Sequence, residues 1–380
     1  MKLIDFIFFD AGGGHRAAAS ALRSVMETRS GDWKIRMVNL QELLDPLDIF
    51  RKVTSLRLED IYNLMLRKGW TLGSPQLTRG MHLVIRAYHS AQVRLLKKHW
   101  AATKPDMVVS FVPNFNRALV QSLKGVLPAV PFVTILTDLA DYPPHFWMEP
   151  ESEYLVCGSE RAVEQARALG IPSGRIFQVS GMVLNPQFYG DALVDAIQER
   201  QRLGLRPEVP TGVVLFGGHG SKAMIEIAGR LDRSALNLQL ILICGHNEKL
   251  RRKLQAKQYR IPVVIEGFTK RIPYYMRLAD FFVGKPGPGS ISEALAMHLP
   301  VIVERNAWTL PQERYNAEWV LEREVGTVVR SFRQIEGAVA QLLEPATYQR
   351  YRANAAAQNN RAVLEIPEIL QHILARRIVG

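Results

Sequence analysis

Short apolar runs alternate with helix-spaced segments along the whole chain. The first run, Ile4, Phe6, Ile7, Phe8 and Phe9, is almost continuous, as expected of a parallel strand covered on both faces. Further strands are predicted at 34–39, 107–111, 132–136, 154–157 and 176–179. The rhythm stops at NPQFYGD, passes a polar helix and reaches LRPEVPTG, whose prolines and glycine mark a linker. It then restarts, with strands predicted at 212–216, 238–244, 263–266, 280–283 and 301–304 and helices after Arg333. Strands alternating with helices give an α/β fold with parallel sheets. The pattern predicts two Rossmann-like, doubly wound domains, 1–190 and 205–360, facing a central cleft, with a helix at 361–380 that could return to the first domain.

The bulk numbers agree with two cores, since 380 residues with 47% hydrophobic content exceed one average domain. The two cysteines, Cys157 and Cys244, fall in predicted strands of different halves, which favours buried, reduced thiols and a cytoplasmic setting. Lys2 is followed by only a short apolar run ending at Asp10, so neither a signal peptide nor a membrane span is expected.

A net charge of +12 calls for an anionic partner: nucleic acid, acidic lipid headgroups or a phosphorylated small molecule. Between residues 46 and 100, ten basic side chains such as Arg51, Lys52 and Arg57 face three acidic ones and are interleaved with Phe50, Tyr62, Trp70 and Tyr88. That pattern suits a peripheral position on an anionic membrane, although two ordinary solvated helices would also produce it.

Chemistry concentrates where predicted strands end. Gly12, Gly13 and Gly14 let backbone approach a ligand closely, and His15 then falls in the first turn of a helix expected from Arg16 to about Glu27. In the second half, Gly217, Gly218, His219, Gly220 and Ser221 repeat the arrangement, a loop suited to a diphosphate. It matches neither GxGxxG nor GxxxxGK[ST]. The stretch VGKPGPGSISEA places Gly287, Pro288 and Gly289 before a helix that Ser290 is expected to open. Ser290 and Glu293 have capping-box spacing, while a carboxylate there could instead accept both hydroxyls of a ribose. Gln312, Glu313 and Asn316 form a polar cluster able to hydrogen-bond sugar hydroxyls, or an ordinary amphipathic first turn.

Together, GGGHRAAA, GGHG, CGHNEKL, EGF, GKPGPGSISEAL and PQERYN resemble, in order, the successive motifs of the monogalactosyldiacylglycerol synthases. These belong with the bacterial lipid II synthase in a glycosyltransferase superfamily of GT-B fold. TDLADYPPHFW is similar to the family's acceptor-side segment, which brings in Gly13, Gly14, Pro144, His145 and Trp147. The resemblance implies inverting transfer of a hexose, galactose or glucose, from a uridine diphosphate (UDP) sugar to a lipid hydroxyl, 1,2-diacylglycerol above all. It implies no metal and no cofactor, and the chain carries no DxD triplet. It further implies that the loops at Gly217–Ser221 and Gly287–Ser290 hold the diphosphate and that Glu293 binds the ribose. Gln312, Glu313 and Asn316 would contact the sugar, and Phe268 would line the uracil pocket. His15 is the expected base, with Asp138 orienting it or serving instead.

Some residues depart from the family pattern. His219 stands where relatives tend to carry an acidic or small residue, Pro286 replaces the usual alanine, and YPPHFW lacks the usual Thr-Cys-His lead. Other readings follow from these departures and from the charge: transfer of N-acetylglucosamine or use of another lipid or glycolipid, or a UDP-sugar-binding protein without catalysis. A UDP-N-acetylglucosamine 2-epimerase would share the fold, but none of its motifs is clear. A nucleic-acid-binding protein would explain the charge, yet no helix-turn-helix, zinc ligand set or RNA-binding aromatic motif is present.

Overall fold

A computed structural model describes residues 1–10, 13–29, 33–47, 88–142, 145–190 and 195–376. Most of the basic segment 46–100, together with Gly12 and Pro144, lies outside the described residues. The first sheet contains β1 (Lys2–Phe8), β2 (Trp33–Asn39), β3 (Met107–Ser110), β4 (Phe132–Ile135), β5 (Tyr154–Cys157) and β6 (Ile176–Gln178). All pairings are parallel, in the order β2-β1-β3-β4-β5-β6. The near-continuous apolar run of β1 has a direct cause. Ile4, Phe6 and Phe8 pack under the helix Gly14–Thr28, while Ile7 and Phe9 pack on the opposite face with Leu96 and Trp100. The interruption, Asp5, is fully buried and accepts two hydrogen bonds from Arg36, its register partner on β2, at 2.8 and 2.6 Å.

The second sheet contains β7 (Thr211–Leu215), β8 (Gln239–Ile243), β9 (Val263–Glu266), β10 (Phe281–Gly284), β11 (Val301–Glu304) and β12 (Gly326–Val329). Its order, β12-β11-β10-β7-β8-β9, is the doubly wound arrangement of dinucleotide-binding domains. Strand order reverses between β7 and β10 here, and between β1 and β3 in the first sheet. Ligands of open α/β sheets bind outside the carboxyl ends of strands at such reversals. The glycine loops after β1, β7 and β10 occupy both reversals.

The final helix, Ala362–Arg376, packs against the first sheet's core rather than the second's. Val363, Ile366, Leu370 and Ile373, spaced for one helical face, join Leu22, Val25 and Met26 of Gly14–Thr28. The crossing is stitched by hydrogen bonds from Arg361 N–H to Ser180 Oγ at 2.6 Å and from Asn360 Nδ2 to the Met182 carbonyl at 2.9 Å.

Candidate active site

In the first domain, the helix Gly14–Thr28 starts two residues earlier than the sequence suggests. Gly13 caps it at φ 79°, a left-handed conformation that glycine adopts without steric cost. Among the described residues no side chain satisfies its opening N–H groups, and a Cβ on Gly13 or Gly14 would meet nothing within 4 Å. Among those residues the amino end of this helix is uncapped by side chains. His15 follows immediately. Its Nδ1 lies 3.1 Å from Thr137 Oγ1, and its ring centroid is 5.7 Å from that of Trp147. Removal from water lowers the imidazole pKa to about 4, against a hydrogen bond with the Phe111 backbone that raises it. His15 is thus uncharged at neutral pH and free to take a proton.

Asp138 does not orient His15, contrary to one expectation from the sequence. Thr137 does so, its hydroxyl reaching the ring alongside the Phe111 backbone. The Asp138 carboxylate instead accepts from Trp147 Nε1 at 2.8 Å. Burial raises its pKa to about 7, the Trp147 bond opposes the rise, and Glu313 adds to it while Lys285 counters it. Glu313 and Lys285 belong to the second domain, so their influence on Asp138 places the two sets of loops face to face across the cleft.

Asp141 builds the remainder of this loop. Its carboxylate accepts from His145 N–H at 3.0 Å and Trp147 N–H at 2.6 Å. His145 is exposed, with φ 63°. Trp147 is not. It is fully buried, because its indole is committed to Asp138 and its carbonyl accepts from Asn116, so it braces the site instead of lining it.

In the second domain, the Gly217–His219 turn packs on the loop after β8. His246 N–H donates to the Gly218 carbonyl at 2.8 Å, and a Cβ at Gly245 would lie 2.2 Å from that oxygen. Gly220 is equally confined: a Cβ there would lie 2.6 Å from the Cys244 carbonyl oxygen, and its φ is 57°. Gly217 and Gly218 look instead into open space, the arrangement a close-approaching diphosphate needs. Ser221 Oγ accepts from Ala223 N–H at 3.2 Å, and the exposed His219 ring lies 6.3 Å from His246. His246 in turn stacks on Phe268 with centroids 3.9 Å apart and planes at 18°. This platform presents an exposed aromatic face suited to a nucleobase.

The capping box expected at Ser290 and Glu293 is not built. The helix Pro288–Ala296 opens at Pro288, with Gly287 as cap and no side-chain cap bond, since the fixed φ of proline suits the first helical position. Its N–H groups remain available, and Gly289 borders open space. Glu293, in the second turn, is half-buried without a hydrogen bond or ion pair among the described residues, and burial pushes its pKa up to about 7. Asn316 also departs from expectation. It is fully buried and its Nδ2 donates to the Pro286 carbonyl at 2.8 Å, so it holds the turn and is not positioned to touch a sugar. Glu313 accepts from Lys285 Nζ at 2.5 Å, and Gln312 precedes it, half-buried, on the turn Pro311–Glu313. Thr137, Asp141, His246 and Lys285 went unnoticed in the sequence. Lys285 lies inside a motif already singled out, and Thr137 adjoins Asp138, so position alone could have raised both.

Residues 15–183 match the family model of monogalactosyldiacylglycerol (MGDG) synthase, and residues 212–371 match the glycosyltransferase family 28 C-terminal domain. A probable monogalactosyldiacylglycerol synthase 2, chloroplastic, of Oryza sativa subsp. indica is 30% identical over 376 residues, covering 93% of this chain and 76% of that protein. The chain belongs to the monogalactosyldiacylglycerol synthase family. Monogalactosyldiacylglycerol synthase 1, chloroplastic, of Arabidopsis thaliana is 28% identical over 363 residues, covering 91% of this chain and 66% of that protein. Among solved structures, S. aureus MnaA with UDP has a TM-score of 0.63 at 15% identity, covering 99% of this chain and 97% of that one. Acinetobacter baumannii MurG has a TM-score of 0.61 at 11% identity, covering 98% and 100%. Shape alone groups this family member with GT-B transferases and epimerases alike, whereas the sequence match makes it a glycosyltransferase.

Proposed function

We propose that the protein moves a hexose, galactose or glucose, from a UDP-hexose to the hydroxyl of 1,2-diacylglycerol, with inversion and without a divalent cation. The observation that carries this reading is the confrontation of two unlike loops: a neutral, half-buried imidazole on one side of the cleft and uncapped backbone N–H groups on the other. The uracil lies on Phe268, Glu293 takes the ribose, and the N–H groups of Gly217–Ser221 and Gly287–Ser290 take the diphosphate. Gln312 and Glu313 hold the hexose. The lipid oxygen attacks the anomeric carbon from the face opposite the diphosphate. As the new C–O bond forms, its proton passes to His15 and the bond to the diphosphate breaks, leaving with its electron pair as UDP. The open helix ends stabilise the charge that develops on the leaving group.

The setting we propose is peripheral, on the inner face of the cytoplasmic membrane. Among the described residues no helix is long and apolar enough to cross a membrane. The basic, aromatic-rich stretch 46–100 supplies attraction to anionic headgroups. The test uses radiolabelled UDP-galactose, UDP-glucose and UDP-N-acetylglucosamine with diacylglycerol vesicles in a chelator. A labelled monohexosyl lipid of inverted anomeric configuration is expected from one of the first two donors. Retention of configuration, dependence on added metal, or labelling from N-acetylglucosamine alone would each overturn the corresponding part.

A further inference from the structure

Large apolar side chains that stand exposed are few among the described residues, and three of the six sit on cleft loops: Tyr142 at 41%, Phe268 at 57% and Trp308 at 49%. Phe268 has a place in the donor site, but Tyr142 and Trp308 do not. Their position follows from strand order. Across the carboxyl edge of the second sheet, β9 carries Phe268, β8 His246, β7 the Gly217 loop, β10 the Lys285–Gly289 turn and β11 the loop that holds Trp308. From β9 to β11 is four strand spacings, roughly 19 Å at about 4.8 Å each, comparable to the reach of a nucleoside diphosphate sugar. A donor laid along this edge from Phe268 would end at the loop that holds Trp308.

Its loop is built to hold it there. Asn306 Oδ1 accepts from Trp308 N–H at 2.8 Å, Asn306 N–H donates to Thr309 Oγ1 at 2.9 Å, and Asn306 Nδ2 donates to the Arg330 carbonyl at 3.2 Å. Tyr142 comes from the opposite domain, on the segment between Asp138 and Asp141 and the buried Trp147. Asp138, at the start of that segment, is close enough to Lys285 and Glu313 to feel their charges.

We infer that Trp308 and Tyr142, one from each domain, bracket the glycerol backbone and first acyl methylenes of the lipid acceptor and so select a lipid over a water-soluble alcohol. This rests on the proposed transfer to diacylglycerol. Broad aromatic faces with a polar edge suit such a junction of apolar chain and ester oxygen. A hexose stacked on Trp308 would instead make it a donor residue.

The experiment compares wild type, Trp308→Ala, Trp308→Phe and Tyr142→Ala, each checked for an unchanged melting curve. With UDP-galactose or UDP-glucose and dioleoylglycerol in phosphatidylcholine vesicles, Trp308→Ala should raise the acceptor KM about tenfold. Donor KM should stay within about twofold, and Trp308→Phe should restore most of the loss. Tyr142→Ala should shift acceptor KM in the same direction. A rise in donor KM alone, or no change, overturns the inference. If the wild type leaves diacylglycerol unmodified, the transfer reading fails, and contact is read instead by quenching tryptophan fluorescence with brominated-chain diacylglycerol. Quenching that is stronger in wild type than in Trp308→Phe supports the contact. Equal quenching, or equal quenching by brominated phosphatidylcholine alone, overturns it.

Discussion

The two domains have similar sheets and both put glycines where strand order reverses, yet the loops there work by different means. The first-domain loop is made of side chains: His15, Asp138 and Trp147 are packed together, and removal from water shifts the first two pKa values in opposite directions. The second-domain loops are mainly backbone, with N–H groups bordering open space at Gly217, Gly218 and Gly289. A fixed dipole suits a charge present in every cycle, as a diphosphate is. A group that must gain and lose a proton has to be titratable, and its burial sets where it does so. On the proposed function, the chemistry divides along the cleft, with proton handling on one side and anion handling on the other.

The hardest test of that division is His15→Ala. Turnover should fall by roughly 10² to 10⁴, while calorimetry should find UDP bound as before. In the wild type, kcat/KM should fall on the acid side only as pH drops towards about 4, where His15 becomes protonated. A limb near the ordinary histidine value would remove the argument from burial.

Asp138→Asn comes next and separates brace from base. The folded carboxyl titrates at about 7 against an ordinary 3.8. The native state therefore holds a proton that the unfolded chain sheds, and wild-type stability falls as pH rises from about 4 to 7, by up to ~4 kcal/mol. The asparagine variant, which keeps an acceptor for Trp147, should be flat across that window and the more stable protein above it, as melting curves against pH would record. Its turnover should remain within about tenfold of wild type. A fall to the level of His15→Ala would move the base to Asp138.

The smallest effect belongs to Gly289→Val. Open space around the position leaves the fold and melting temperature unchanged, while the new side chain crowds the diphosphate. Donor KM should rise about tenfold with kcat at saturating donor little altered. Equal loss in kcat would mean that backbone and side-chain duties are shared across the cleft.

Much of the scaffold was legible because parallel strands buried on both faces leave little room for polar residues. Tyr154–Cys157, Val263–Glu266 and Val301–Glu304 match the predicted spans at both ends, and most other strands differ by a residue or two. Gly326–Val329 escaped notice, being four residues at a sheet edge whose strand character comes from pairing with β11. The family was legible because several motifs recur in order. Less so were the roles inside motifs. Asn316 and Trp147 have the composition of contact residues, and only packing reveals that both are buried braces. Ser290 looks like a cap until Pro288, two residues earlier, takes the start of the helix. Thr137 beside His15, and Lys285 beside Glu313, are encounters between distant stretches that no local spacing encodes.

The helix Ala362–Arg376 completes a core begun by Lys2–Phe8. Synthesis runs from the amino end, so the domain whose first strand leaves the ribosome earliest is finished last. Until then Leu22, Val25 and Met26 lack their covering partner. The second domain, entirely internal to the chain, can close while the first still waits.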